Sequence, residues 1–145
     1  MKIGPLEETD RERWETLARG YKDFYRTEVP DEGYERAWRR LRRAEDVFGC
    51  AARLDSGRMV GFAHYLFHAN PWAARSCYLQ DLFVEETERG RGAGRGLIEY
   101  VAQVARDHGA ARLYWLTQQD NERARLLYDK VAVARGFISY DRFLD

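Results

Sequence analysis

The stretch from Glu88 to Leu97, ERGRGAGRGL, constrains this chain more than any other. It leaves an apolar run with strand character, CYLQDLFV at 77–84, and enters a segment where Leu97, Ile98, Val101, Val104 and Ala105 recur at helical spacing. At a turn from strand into helix, unpaired backbone N–H groups and the positive end of the helix dipole favour an anion. Gly90, Gly92 and Gly94 let the main chain approach a phosphate with no Cβ in the way, and Arg89, Arg91 and Arg95 add positive charge. Two common phosphate loops do not fit. A Walker loop ends in Gly-Lys-Ser/Thr, whereas Gly94 is followed by Arg95 and Gly96. A Gly-x-Gly-x-x-Gly fingerprint fails because Gly90-x-Gly92 leads to Arg95 and Gly92-x-Gly94 leads to Leu97. Arg89-x-x-Gly92-x-Gly94 is what remains.

The rest of the chain supplies alternating elements. Residues 2–6 are predicted as a strand, and Thr9 and Asp10 as helix-start residues for a helix carrying Trp14, Leu17, Ala18, Tyr21 and Phe24. A second helix follows Pro30, with Tyr34, Trp38 and Leu41 on one face. Strands are predicted at 47–54 and 59–67 around the turn Asp55-Ser56-Gly57-Arg58, then at 77–84 and 113–117. A helix over 122–135 and a final strand over 137–143 close the chain. The order β-α-α-β-β-β-α-β-α-β is a mixed α/β layer fold with parallel crossovers late in the chain, expected as one domain over 1–145.

Composition narrows the function. Lys plus Arg equals Asp plus Glu at 24 each, so neither nucleic acid nor membrane is an expected partner. No apolar run reaches the ~20 residues of a membrane span and the N-terminus carries no hydrophobic signal region. Cys50 and Cys77 are too few for a disulfide scaffold, and a cytoplasmic location is expected. Arg36, Arg39, Arg40, Arg42 and Arg43 read as a solvated helix face, with a docking surface for an anionic partner as the lesser alternative. His64 and His68 lie four apart without a third ligand, so no metal is expected.

Arg89-x-x-Gly92-x-Gly94, five residues after a strand ending at Val84, resembles the acetyl-CoA signature of the GCN5-related N-acetyltransferase (GNAT) superfamily. Asn121-Glu-Arg-Ala124-Arg-Leu-Leu-Tyr128 resembles that superfamily's Asn-x-x-Ala-x-x-x-Tyr helix, in the right order and after an intervening strand. Residues 60–84, with Pro71-Trp72 in the loop and Leu79-Gln80-Asp81 before the glycines, are similar to the strand pair of spermidine/spermine and thialysine acetyltransferases. LLYDKVAVARGFISY is similar to the histone/polyamine-type enzymes, and the resemblance covers about residues 47–143. It implies a GNAT-like α/β fold, a mixed central sheet flanked by helices on both faces, with acetyl-CoA as co-substrate. Backbone of Leu82, Phe83 and Val84 would pair with the pantetheine arm. Backbone N–H groups of Gly90, Arg91, Gly92, Ala93, Gly94 and Arg95, beside Arg89, would hold the pyrophosphate. Asn121 would contact the cofactor arm, and Tyr128 would sit beside the thioester sulfur.

Three departures accompany the likeness. Gln80 stands where the subfamily usually has Glu, so a proton acceptor is lost. Tyr128 lies eight residues before Gly136 rather than about four, which predicts an extra helical turn over 131–135. One strand, not two, follows that helix, so the sheet is shorter or is completed by a second subunit; a homodimer is expected.

The expected chemistry is acetyl transfer from acetyl-CoA to a primary amine of a small molecule, a polyamine or an amino acid, by direct attack. A protein or peptide acetyltransferase and a non-catalytic acyl-CoA-binding module are the alternatives. A lysine-like amine with pKa near ~10.4 is almost wholly protonated at neutral pH, so the reaction needs the scarce neutral form. A backbone N–H near Leu82 would serve the oxyanion, and Tyr128, with an ordinary pKa near ~10, would protonate the leaving thiolate. Gln80 and Asp81 point to opposite faces of a regular strand unless a bulge intervenes. Asp81 is read as a base through water, a cation anchor or a structural carboxylate. Trp72 is read as lining the acceptor pocket or as an exposed loop or dimer contact. Tyr21, Phe24 and Tyr25 are read mostly as core, with one able to face the acceptor.

Overall fold

The computed structural model describes residues 1–144. One mixed sheet runs in the order β1 (Lys2–Pro5), β2 (Phe48–Arg53), β3 (Met59–Asn70), β4 (Ala73–Val84) and β5 (Arg112–Tyr114). The first four strands are antiparallel, and β5 joins β4 in parallel after a crossover. That crossover is α3 (Ala93–Asp107); α1 (Arg11–Phe24) and α2 (Asp31–Arg43) precede β2, and α4 (Glu122–Val131) follows β5. This is the α/β architecture expected from the sequence.

Alternation along the strands gives the sheet two apolar faces. On one, α3 buries Leu97, Ile98, Val101 and Ala105 against Val60, Ala63, Tyr65, Cys77 and Leu79. On the other, Trp14, Leu17 and Ala18 of α1 and Tyr34, Trp38 and Leu41 of α2 cover Ala51, Met59 and Phe62. Asp10 fastens the start of α1: its carboxylate accepts the Glu7 N–H (2.7 Å) and pairs with Arg53 of β2. On α2, Arg39 pairs with Glu35 (3.0 Å), Arg40 with Asp46 (3.3 Å), and Arg42 donates to the Leu6 carbonyl (2.7 Å). These contacts support the solvated-face reading of the arginine cluster. Among the described residues no helix is long and apolar enough to cross a membrane.

One irregularity positions the site. His64 pairs with Asp81 but Tyr65 pairs with Leu79, so Gln80 is a surplus residue in β4. The bulge returns Leu79 to the α3 face, where it is buried, and leaves Gln80 exposed while Asp81 turns towards α1. The ladder from β4 to β5 ends at Tyr78, two residues before the bulge.

The C-terminal portion corrects three expectations. β5 covers only Arg112–Tyr114, not 113–117. α4 ends at Val131 rather than 135, because Ala132 is already extended (φ −155°) and Val133 is 82% exposed. A short helix persists only as far as an apolar face is packed, and past Val131 the packing stops. Residues 137–143, expected as a strand, form none: Phe137 and Tyr140 are 81% and 87% exposed, and no strand pairs with them among the described residues.

Candidate active site

Because the β4–β5 ladder ends at Tyr78, the β4 edge from Leu79 to Val84 has no strand beside it on the β5 side, while β3 pairs with the other edge. An exposed strand edge offers backbone donors and acceptors to an extended ligand. A cleft of about 670 Å³ opens along it, lined by Leu82, Phe83 and Val84, the glycine loop, one side of α4 and the end of α1.

At one end the loop turns into α3. Gly92 is the helix N-cap with φ +91°, a left-handed conformation that favours glycine, and no side chain caps the helix. Its carbonyl takes the N–H of Gly96 (2.9 Å), so the N–H groups of Ala93, Gly94 and Arg95 lack helical partners. At Gly94 a Cβ would stand 3.3 Å from Leu127 Cδ2, so the absence of a side chain lets α3 approach α4. Arg89 is held in place: its Nε donates to the Val84 carbonyl (2.9 Å) and its guanidinium lies over Phe24 and Phe83, 5.6 and 5.5 Å from the ring centres. Arg89 and Arg95 line the cleft, whereas exposed Arg91 pairs with Glu88 (3.4 Å). Unpaired helix N–H groups, two cations and an open strand edge fit an extended molecule that ends in a diphosphate.

The far wall is α4. Asn121 accepts the Ala124 N–H (3.4 Å) as the helix N-cap and also lines the cleft. Two turns on, Tyr128 stands edge-on to Trp115 at 5.3 Å. Burial, with a smaller contribution from Tyr25, pushes its hydroxyl up to about 12. Tyr21, Phe24 and Tyr25 all line the cleft, and so do Arg123 and Lys130 of α4, which sequence reasoning missed. Arg123 and Lys130 are seven apart and so share one face of α4, the only signal the sequence offered for grouping these two cations.

Asp81 lies behind Tyr21. Burial opposes its ionisation, but hydrogen bonds from His64 (2.9 Å) and Tyr21 (2.8 Å), with the charge of Lys22, outweigh that and hold it below the usual carboxylate range. Burial first, then the Asp81 charge, raises Tyr21 far above an ordinary phenol. None of the three expected substrate residues lines the cleft: Asp81 is hydrogen-bonded by Tyr21 but is not itself in the lining, and the other two lie elsewhere. Gln80 is the exposed bulge residue, and Trp72 is 93% exposed at the tip of the β3–β4 hairpin. The tip is nine residues from Asp81 along the strand, about 30 Å at ~3.3 Å per residue. His64 bonds Asp81 and Trp14, and no cluster of three His, Cys, Asp or Glu suited to a metal occurs among the described residues.

Comparison with known proteins agrees with this geometry. Residues 14–132 match the Acetyltransferase (GNAT) family, and the chain belongs to it. It is an acetyl-CoA-dependent N-acetyltransferase. The D-amino-acid N-acetyltransferase HPA3 of Saccharomyces cerevisiae is 36% identical over 143 residues, covering 97% of this chain and 89% of that protein. The thialysine N-epsilon-acetyltransferase of Bos taurus is 39% identical over 70 residues, 48% of this chain and 41% of that one. A crystal structure of a probable acetyltransferase superposes with a TM-score of 0.87 at 24% identity, over 100% of this chain and 99% of the other, a likeness of fold.

Proposed function

We propose that the enzyme acetylates a primary amine of a small molecule, an amino acid or a polyamine, by direct attack on the thioester. The observation that carries this reading is a continuous cleft that runs from the glycine loop along the free β4 edge to Tyr128 and is closed by Tyr21 and Tyr25. The relatives named for D-amino acids and thialysine support a small acceptor. Backbone N–H groups at Gly92 to Arg95 hold the pyrophosphate, Leu82 to Val84 pair with the pantetheine arm, and Asn121 flanks it. Tyr128 donates to the departing sulfur. A thiol-release assay over amines, amino acids and basic peptides tests the reading; turnover confined to peptides would reverse the acceptor class.

The amine loses its proton to solvent. Moving a proton from an amine at ~10.4 to a carboxylate, even one at the ordinary ~3.9, is uphill by about 9 kcal/mol, against about 5 kcal/mol for release to water at pH 7. Asp81 is held below that ordinary value and does not line the cleft, so it is not the base. The value of kcat/KM for the amine should climb about tenfold per pH unit well below the amine's pKa, because the neutral fraction does. A plateau already at pH 7 in the pH–rate profile would assign a base.

The assembly that fits is a homodimer. Val133, Phe137, Ile138, Tyr140 and Phe143 are exposed on one short segment, and beside it the outer edge of β5 has no strand among the described residues. Each would cover the other's counterpart across two copies. Ending the chain after Arg135 should convert the dimer to a monomer in light scattering; an unchanged mass would place the interface elsewhere.

A further inference from the structure

Four side chains behind the tyrosine end of the cleft form a string of hydrogen bonds that none of the steps above uses. Trp14 Nε1 donates to His64 Nε2 (3.0 Å), His64 Nδ1 meets Asp81 Oδ2 (2.9 Å), and the Tyr21 hydroxyl donates to Asp81 Oδ1 (2.8 Å). They come from residues far apart in sequence: Trp14 and Tyr21 from α1, His64 from β3 and Asp81 from the bulged stretch of β4.

The chemistry of the two ends fixes every direction. An indole N–H only donates and a carboxylate only accepts. His64 therefore accepts at Nε2, carries its proton on Nδ1 and gives that hydrogen to Asp81. Neither ring is free to turn. Trp14 is buried and lies 5.3 Å from Trp38, and His64 is stacked on Phe62 at 4.5 Å. Swapping the tautomer would set two N–H groups against each other and leave a buried indole donor unpaired.

The consequence appears at the far end. With its hydrogen committed to Asp81, the Tyr21 hydroxyl presents only lone pairs to a partner, and its oxygen is polarised by the carboxylate behind it. Tyr21 lines the cleft, as Tyr128 does, and packs on Tyr25 at 5.0 Å. A group docking there must bring a hydrogen and gains from positive charge. We propose that Trp14 and His64 are positioning residues for the acceptor: through Asp81 they turn the Tyr21 oxygen to the cleft as the hydrogen-bond acceptor for the substrate's ammonium or amine. The proposal rests on the small-amine reading above and names what recognises the amine. The string also ties α1 to β3 and β4, and if that were its whole purpose, breaking it would lower stability and leave amine recognition unaltered.

Two measurements decide. In the wild-type protein, ¹⁵N–¹H spectra of the imidazoles should show His64 protonated at Nδ1, its signals assigned by their loss in His64→Asn; a proton on Nε2 overturns the proposal whatever the activity. In steady-state kinetics with an amine that the wild type acetylates, His64→Leu should raise the amine KM by roughly 10–100-fold, the loss of a charge-assisted hydrogen bond. It should leave kcat within about threefold and acetyl-CoA affinity unchanged. His64→Asn, whose amide N–H can replace Nδ1, should recover most of the KM. An unaltered amine KM, or a loss confined to kcat, overturns the proposal. If His64→Leu does not fold, Trp14→Phe carries the kinetic arm with an expected roughly 3–10-fold rise in KM, and no rise overturns it. Wild-type protein inactive on every amine would defeat the small-amine reading itself, a result distinct from all of these.

Discussion

Gly92→Val is expected to abolish the rise in melting temperature that acetyl-CoA gives the wild-type protein, while leaving a folded enzyme. A ligand that binds only the native state at a hundredfold excess over Kd stabilises it by about 2.7 kcal/mol, a shift of several degrees for a domain of this size. A Cβ at Gly92 would meet nothing within 4 Å, so the substitution creates no clash in the core. The backbone decides instead. At φ +91° a β-branched side chain is strained, and the loop relaxes by moving the N–H groups of Ala93, Gly94 and Arg95 off the anion they face. Differential scanning fluorimetry with and without acetyl-CoA reads the result. A folded variant with an undiminished shift would mean that the phosphates are held somewhere else.

Tyr128→Phe is expected to lower kcat by roughly 10²-fold with acetyl-CoA affinity intact. The ring stays edge-on to Trp115, so the packing of α4 is retained and only the hydroxyl is lost. Acid catalysis in general is worth roughly 10²–10⁴-fold, and the lower end applies here for a definite reason. Burial lifts the hydroxyl to about 12, above an ordinary thiol near ~8.5, so complete transfer of its proton to the sulfur is uphill. Its expected contribution is a hydrogen bond to charge as that charge develops, worth about 1.5–3 kcal/mol. Single-turnover kinetics separates this from product release. Unchanged chemistry in the variant would return Tyr128 to the core.

The glycine loop before α3 and the helix that starts at Asn121 could be read from sequence because each is local. Gly92 and Gly94 report a backbone requirement at their own positions, and Asn121 and Tyr128 lie on one helix, so their spacing carries over to space. The acceptor end was not readable. Asp81 meets His64 only through strand pairing, and both meet Trp14 and Tyr21 only once α1 has packed on the sheet. The sequence offers His64 only as a residue four before His68, a pair without a third metal ligand, and nothing near it in sequence names an indole as its partner. The bulge could be posed as a question but not answered, because the pattern Leu79-Gln80-Asp81 does not say which residue is surplus. The extended helix over 131–135 and the strand over 137–143 failed for a shared reason. Local preference favours both, yet helix and strand persist where something packs or pairs with them, and Val133 to Phe143 have neither within this chain.

Gln80 has a meaning beyond its own side chain. With it removed on paper, Leu79 and Asp81 become consecutive and alternate faces as a regular strand demands. On the proposed function, the open edge that would admit a thioester begins beside a miscount of one in an otherwise regular weave. Catalytic capacity would then be tied to an incompleteness of the architecture, and selection for stability alone would work against it.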